Sequence, residues 1–293
     1  MPTSSPARRS EAGRLGAAGL FFLAAVLVVG AVGVAIWRGA GPLPDPEGCT
    51  ASVGGHTVQL ASDQGENATL IAAIGVRRGL PARAVSIALA TAYQESKIRN
   101  LDHGDRDSIG IFQQRPSQGW GSAAQIRNEH YTINRFYEEL EKIDGFEHMR
   151  ITDAAQKVQR SGYPEAYEAH AADARALASA LTGYSPGGRF SCVVRSPDGH
   201  RPAADVVASL EAAYGDLETA RGPRQDLAVL VGRGPAAHRA GWSIAQFLVG
   251  HAERLQLRSV SFDGKEWQAG RASEKGWTGA PEAPADRVVV RLG

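Results

Sequence analysis

An uncharged stretch of 23 residues, 15–37, limits the topology of this chain more than any other feature. At the helical rise of 1.5 Å per residue, about 20 apolar residues cross the hydrocarbon of a bilayer. A cleaved signal peptide has a shorter apolar core, usually about 7–15 residues. Length therefore favours a retained transmembrane helix. Gly33-Val34-Ala35 offers a small-residue cleavage site, so a signal peptide stays as the alternative interpretation.

Charges on either side of this stretch predict its orientation. Arg8, Arg9 and Arg14 precede it, and only Arg38 closely follows it. An excess of positive charge marks the cytoplasmic side. We therefore predict a single-pass protein of the cell membrane, in which residues 1–14 are a cytoplasmic tail, residues 15–37 span the membrane, and the bulk of the chain is extracytoplasmic.

The net charge bears on which partners the chain can bind, and the cysteines bear on the compartment in which it resides. Lys and Arg number 32 against 31 Asp and Glu, a net charge of +1, so we expect no nucleic-acid partner. Cys49 and Cys192 both follow the predicted span. In an oxidising compartment two such cysteines are expected to pair as a disulfide. Two unpaired thiols are the alternative.

Composition divides the rest of the chain into four segments. A stretch rich in Pro and Gly opens a linker, taken as residues 38–59. Helical periodicity without a convincing strand runs through residues 60–182. A second break, residues 183–199, separates this part from residues 200–293, where helices alternate with short β-branched runs. We predict an α+β protein: one transmembrane helix, a mainly α domain, and a small α/β domain.

Within the last segment, three runs are typical of strands: residues 227–231, 258–262 and 287–291. Asp263-Gly264 is a turn signal between Phe262 and Trp267. Helices are expected near 202–214 and 241–256.

Glu95 stands out because it lies on an apolar helical stripe. It follows Ala92 by three residues and Ala88 by seven, so one continuous helix directs all three inward. Burial disfavours a charged carboxylate and raises its pKa, which suits a general acid that protonates a glycosidic oxygen. The alternative is a frayed helix end, where Glu95 turns to water or pairs with Arg99.

The loop after this helix is polar. Asp102, Asp105 and Asp107 offer a second carboxylate for a hydrolase, or else they cap turns and pair with Arg106 or Arg99. Together they could also bind Ca²⁺, although their spacing is not that of an EF-hand loop. The amide, aromatic and glycine residues of 109–121 suit an uncharged polymer rich in hydroxyl groups.

A pair of motifs resembles a known family. Glu95-Ser96, followed about a dozen residues later by Ser108-Ile109-Gly110-Ile111-Phe112-Gln113, is similar to the Glu-Ser and Gly-Leu-Met-Gln signature of soluble lytic transglycosylases and goose-type lysozymes. The resemblance covers residues 60–182 and implies a lysozyme-like fold. It also implies that Glu95 is the acid and base, and that Gly110 and Gln113 shape the floor of a sugar-binding groove.

The third motif of that family, usually Ala-Tyr-Asn, is not evident; Ala155 to Ser161 takes a comparable place. The candidates for orienting Glu95 are Gln156, Gln159 and Tyr163. The full set of expected substrate-binding residues is Ser96, Ser108, Gly110, Ile111, Phe112, Gln113, Gln114, Trp120, Gln156, Gln159 and Tyr163.

The resemblance implies the cleavage of peptidoglycan glycan strands by a membrane-anchored lytic transglycosylase. Such enzymes use a single Glu, because the C6 hydroxyl of muramic acid attacks and leaves a 1,6-anhydro product. No cofactor or metal is expected. The alternative function is a non-catalytic lysozyme-like protein that binds glycan or scaffolds a cell-wall complex.

Residues 200–293 look like a small α/β domain appended to actinobacterial cell-wall hydrolases, itself similar to zinc D-alanyl-D-alanine peptidases. The last predicted strand carries no His, and His238 and His251 are too few for a three-ligand catalytic zinc site. We predict a non-catalytic domain that binds the wall or a cell-wall protein partner. A catalytic role for this domain is the less favoured alternative.

Overall fold

The computed structural model describes Met1 and residues 26–31, 33–34, 46–161, 163, 165–195, 199–222 and 226–293. The chain divides into two compact units, Met1–Pro46 and Glu47–Gly293. Helix and strand are mixed in the second unit, so the prediction of an α+β protein is confirmed at that level.

In the first unit, residues 26–31 and 33–34 are helical. The predicted cytoplasmic tail and most of the predicted span lie outside the described residues. No helix among the residues that are described is long and apolar enough to cross a membrane. The transmembrane helix stays a prediction.

The second unit has a helical half, up to residue 195, and a C-terminal half, from residue 199 onward, and both contain helices. They are α1 (Ser62–Arg77), α2 (Ala82–Ser96), α3 (Ala123–Arg127), α4 (Glu129–Leu140), α5 (Ile151–Gln159), α6 (Ala171–Leu181), α7 (Ala203–Tyr214) and α8 (Pro235–Gly250). Short 3-10 helices cover Pro116–Gln118, Phe146–His148, Ala166–His170 and Gly270–Lys275.

Two antiparallel sheets complete this unit. The strands are β1 (Gly48–Val53), β2 (His56–Leu60), β3 (Phe190–Val193), β4 (Thr219–Arg221), β5 (Leu227–Leu230), β6 (Leu257–Phe262), β7 (Lys265–Gln268), β8 (Thr278–Gly279) and β9 (Arg287–Leu292). The first sheet has the order β2-β1-β3, and the second has the order β4-β5-β9-β6-β7-β8.

The first sheet occupies segments that the sequence predicted as linkers. Cys49 and Ala51 point into the core while Thr50 and Ser52 are more exposed, which is the alternation of a half-buried strand. The linker predicted over 38–59 is therefore shorter, because its C-terminal part is the β1-β2 hairpin. The linker predicted over 183–199 likewise contains β3, which pairs with β1.

A disulfide fixes this sheet, as the sequence predicted. Cys49 lies directly opposite Cys192 in the β1-β3 register, and their sulfur atoms are bonded. The bond joins residues 143 positions apart in the chain. The start of the second unit is thereby held to the end of its helical half.

Helix α2 is the centre of the helical half. Its residues from Ala84 to Ala92 are buried all around the helix, and four of them are alanines, which allow close neighbours. The two hydroxyl residues of this stretch need no outside partner: Ser86 donates to Ala82 O at 3.0 Å and Thr91 donates to Ile87 O at 2.8 Å. Packing on every side therefore fixes both the position and the rotation of this helix.

Polar side chains and tryptophans join the helical half to the C-terminal half. The buried Gln246 of α8 accepts from Phe190 N at 2.9 Å and donates to Ala180 O at 2.8 Å. Trp267 Nε1 donates to Cys192 O at 3.0 Å, and Trp277 Nε1 donates to Phe190 O at 2.9 Å. The two halves form one compact unit, and their division into separate domains stays a prediction.

The C-terminal sheet follows the sequence closely. The three predicted strands correspond to β5, β6 and β9. Asp263 and Gly264 form the predicted β6-β7 turn, with φ of 47° and 70° respectively, as a two-residue hairpin turn requires. Helix α8 begins earlier than predicted, because Pro235 occupies its first turn.

Replacing both cysteines by serine should lower the free energy of unfolding by about 2–5 kcal/mol, because the cross-link restricts a long loop in the unfolded chain. The measurement is a denaturant titration of the wild type, the double variant and the reduced wild type. The reduced protein should match the double variant. Ser52→Ala, on the same strand, is the control and should change stability by less than about 0.5 kcal/mol. Equal stability of oxidised and reduced wild type would contradict this role.

Candidate active site

The last turn of α2 carries Glu95 to the edge of the helical core. The helix ends at Lys97, which adopts a left-handed conformation with φ of 57°, and Ile98 N then donates back to Ala92 O at 2.9 Å. A left-handed residue followed by a backbone hydrogen bond to the last turn is a common way for a helix to end, although Gly occupies the left-handed position more often than Lys. Because α2 cannot rotate in its packed surroundings, Glu95 is held at one place, half-buried.

Burial decides the protonation of this carboxyl. Desolvation raises the pKa of Glu95, and hydrogen bonds from Tyr167 and Gln159 oppose that rise without cancelling it. The sequence predicted that Glu95 points inward and that its pKa is raised, and the structure has both features. Arg99 is not its partner, because Arg99 Nε donates to Asp63 at 2.8 Å instead.

Two elements supply the groups that hold Glu95. Tyr167, in the 3-10 helix before α6, donates its hydroxyl to Glu95 Oε1 at 2.8 Å and is buried. Gln159, the last residue of α5, hydrogen-bonds the same carboxyl and also donates to Phe112 O at 2.7 Å. Gln159 was among the residues predicted to orient Glu95.

Tyr167 is the residue that sequence reasoning missed. The predicted tyrosine, Tyr163, is 80% exposed, and Glu95 bonds to Tyr167 instead. The signal was present, because Ala166-Tyr167 matches the first two residues of the Ala-Tyr-Asn motif. Gln156, the third candidate, is engaged elsewhere: it donates to Ser161 O at 2.7 Å and accepts from Ser161 Oγ at 2.9 Å.

Ser96 attaches the following loop to the end of α2. Its buried hydroxyl donates to Ile111 O at 2.7 Å. Across the loop, Ile109 and Gln114 exchange two backbone hydrogen bonds of 3.0 Å each. The loop is therefore a small closed structure that lies beside Glu95.

Most side chains of this loop face the core. Ile111 and Phe112 are fully buried, and Phe112 stacks on Phe136 with ring centroids 4.4 Å apart. Gln114 is buried and accepts from Thr132 Oγ1 at 2.7 Å. Ser108 is also buried. These four predicted binding residues shape the loop from within.

Gly110 and Gln113 adopt conformations that few residues tolerate. Gly110 has φ of 81°, and a Cβ there would meet Ile126 O at 3.0 Å, so glycine is required. Gln113 has φ of 48°, and its amide donates to Gly110 O at 3.2 Å and to His103 O at 3.3 Å. Neither residue lines the groove that lies beside Gln159.

A groove of 620 Å³ lies beside Gln159. Trp120, predicted as an aromatic platform, lies in its wall together with Gln118 and Gly119. The other lining residues are Arg135, Glu139, Lys142, Ile143, Lys157, Val158 and Arg160. Glu95 itself does not line this groove; Gln159, which does, also interacts with Glu95 and so connects the two.

The three aspartates of the preceding loop have other partners. Asp107 accepts from Ser117 N at 2.8 Å and from Arg115 Nε at 2.7 Å, and the bond from Ser117 is the largest cause that lowers its pKa. Asp102 bonds His103 at 2.8 Å. Asp105 lies 3.9 Å from Arg106 with its side chain 93% exposed. Of the two predicted partners, Arg106 lies near Asp105, whereas Arg99 pairs with Asp63; Asp102 and Asp107 pair with His103 and Arg115, which the sequence did not predict.

Two of the histidines in the C-terminal half, His238 and His251, lie in different surroundings. His238 contacts Asp263 at 2.7 Å. His251 is buried with Nδ1 2.9 Å from Phe247 O, and burial lowers its pKa to about 3. Within the described ranges, no three His, Cys, Asp or Glu side chains are close enough together to hold a metal ion.

Tyr167→Phe should raise the pKa of Glu95 further, because it removes a hydrogen bond to the charged form while burial is unchanged. A ¹³C-NMR titration of the Glu carboxyl groups measures the shift. Tyr163→Phe is the matched control, since that exposed ring does not touch Glu95. An unchanged or lowered pKa in Tyr167→Phe would show that this bond does not favour the carboxylate.

Glu95→Gln should make the fold more stable at high pH. The raised pKa means that the wild type loses stability as pH rises through the folded-state pKa of Glu95, whereas Gln stays neutral. The difference in Tm, variant minus wild type, should therefore grow as the pH rises from acid to pH 8. Glu211→Gln, on the exposed face of α7, should show no such growth.

The site contains the half-buried carboxyl of Glu95, whose pKa is raised. The Tyr167 hydroxyl and the Gln159 amide hydrogen-bond this carboxyl, and Gln159 also lines the open groove. No protein-family model matches the chain, and no curated protein sequence matches it.

Proposed function

We propose that this chain is a membrane-anchored lytic transglycosylase that cleaves peptidoglycan between MurNAc and GlcNAc, with Glu95 as its single acid and base. The observation that carries the proposal is the carboxyl itself. Burial keeps Glu95 protonated to a higher pH than an exposed Glu, and two donors hold it in one orientation. A carboxylic acid that retains its proton near neutral pH is suited to general acid catalysis.

In the first step, Glu95 gives its proton to the glycosidic oxygen as the bond to C1 of MurNAc breaks. Glu95 is left as a carboxylate, which Tyr167 and Gln159 stabilise by hydrogen bonds. These bonds matter most at this stage, because they favour the charged form.

In the second step, the carboxylate accepts the proton of the C6 hydroxyl while that oxygen bonds to C1 and closes the 1,6-anhydro ring. Glu95 is then protonated again, so no second carboxylate and no water are consumed. Hydrolases of the two-carboxylate kind need a partner acid within about 5–10 Å. The loop aspartates are engaged with His103, Arg106, Arg115 and Ser117, which favours the single-carboxylate route.

The groove beside Gln159 suits an extended, hydroxyl-rich polymer. Trp120 offers an aromatic face for a sugar ring, and the Gln118 and Gln159 side chains offer donors and acceptors. Carbohydrate sites combine such aromatic faces with a few polar groups that fix orientation.

Outside the site, two features support an extracytoplasmic location. The Cys49–Cys192 disulfide is the kind of bond that persists in oxidising compartments. The apolar residues 15–37 are proposed as the membrane anchor that retains the protein at the cell surface. The C-terminal half is proposed to bind the wall or a cell-wall protein.

The test is digestion of purified peptidoglycan by the full chain, with the soluble products analysed by mass spectrometry. We expect muropeptides with a 1,6-anhydro end. Glu95→Gln should lower the rate by about 10²–10⁴, the usual contribution of a general acid. Glu211→Gln is the matched control, because it removes an exposed carboxylate far along the chain.

The products separate the competing functions. Reducing-end muropeptides without the anhydro ring would make the protein a hydrolase. Binding to peptidoglycan without any released product would favour the non-catalytic, glycan-binding alternative. Equal activity in Glu95→Gln and the wild type would exclude Glu95 as the acid.

A further inference from the structure

The groove beside Gln159 has an uneven charge. Its lining includes four basic residues, Arg135, Lys142, Lys157 and Arg160, and one acidic residue, Glu139. Neutral sugars give no reason for such an excess of positive charge. The distribution of ion pairs shows which of these charges are already neutralised.

Two of the basic residues have carboxylate partners within the protein. Lys142 Nζ lies 2.7 Å from Glu139, and Arg135 lies 3.2 Å from the same carboxylate and also pairs with Glu138. Lys157 and Arg160 differ. Across the part of the chain that the structure describes, neither forms an ion pair, and both are exposed.

The position of these two residues connects them to the proton donor. Lys157 lies on the last turn of α5 and Arg160 directly follows that helix, on either side of Gln159, whose amide bonds Glu95 and Phe112 O. The segment that orients the acid therefore also carries the unpaired positive charges. A group bound by them would lie close to the bond that is cleaved.

The backbone at Arg160 adds a second observation. It has φ of 54°, a left-handed conformation at a helix end that Gly or Asn adopts more easily than Arg. The long cationic side chain thus sits where the local backbone favours a different residue. Strained positions of this kind concentrate at functional sites.

We propose that Lys157 and Arg160 form a carboxylate-binding subsite of this groove, which makes the protein prefer glycan strands that carry carboxylates over neutral strands. The inference rests on the proposed function, since it concerns the same groove. In intact peptidoglycan the carboxylate comes from the stem peptide, because the lactyl carboxyl of muramic acid is there bound in the amide that joins the peptide. On strands without stem peptides, the lactyl carboxylate is free. Both offer the same chemistry to an ammonium or guanidinium group.

The first experiment compares the wild type with Lys157→Gln/Arg160→Gln, both as full chains. For intact peptidoglycan we expect KM to rise about fivefold with kcat unchanged, because two exposed ion pairs are lost before the reaction begins. Oligomers of N-acetylglucosamine, which lack carboxylates, should bind both proteins equally. Arg127→Gln/Arg175→Gln removes the same charge from two exposed positions of the helical half that do not line the groove and is the control.

Two further substrates identify the source of the carboxylate. Removal of the stem peptides takes away the peptide carboxylates and frees the lactyl carboxylate, whereas amidation of the peptides takes away their carboxylates and leaves the lactyl group in its amide bond. If the preference persists on stripped strands, the lactyl group is recognised. If it disappears on amidated strands, the peptide is recognised.

A binding measurement keeps this inference separate from the question of catalysis. Co-sedimentation with peptidoglycan in a Glu95→Gln background requires no turnover, so weaker binding of the triple variant would support the subsite even if no product forms. Equal losses on acidic and neutral strands, or no loss on acidic strands, would overturn the proposal. A circular-dichroism melt of the double variant checks that α5 stays folded.

Discussion

The packing of α2 on every side is the constraint on which the rest of the site depends. A helix with one buried face can tilt or rotate, whereas a helix surrounded by neighbours has one position and one rotation. The alanines of α2 allow close packing, and the hydroxyls of Ser86 and Thr91 bond to carbonyls of the same helix, so that burial leaves these polar groups paired. The last turn therefore emerges at a fixed place, and the carboxyl of Glu95 is desolvated there. The raised pKa follows from the core and does not depend on a neighbouring charge.

Two neighbours convert this position into an oriented group. Tyr167 and Gln159 come from different elements, the 3-10 helix before α6 and the end of α5, and both elements pack on α2. Their hydrogen bonds favour the carboxylate, while burial favours the acid. This opposition suits a group that must hold a proton in one step and release it in another.

The sequence predicted the features that depend on local pattern. The strands β5, β6 and β9, the Asp263-Gly264 turn and the inward direction of Glu95 all follow from periodicity and turn chemistry. The disulfide followed from two cysteines beyond an apolar stretch. The β1-β2 hairpin was missed because a Pro- and Gly-rich stretch leads directly into it, and because its pairing with β3 joins residues far apart in sequence.

Side-chain roles within the site were harder to predict, because sequence does not show which polar groups are already satisfied. Ser96 and Gln114 are polar residues of the kind that often contact ligands, yet their hydrogen bonds hold the loop together. Tyr167 was the reverse case: its spacing fits an apolar stripe, and its ring is buried, but its hydroxyl reaches Glu95. Only the three-dimensional arrangement distinguishes these cases.

The β1 strand has a mechanical consequence for a protein proposed to be tethered at one end. Tension applied through the chain before Glu47 would reach β1 first, and β1 is the middle strand of its sheet, paired on both edges. The bond between Cys49 and Cys192 would carry that load into β3 before the backbone hydrogen bonds could open one by one. Because the disulfide lies close to the point where the force enters, it would keep that force from reaching α2, the helix that positions Glu95.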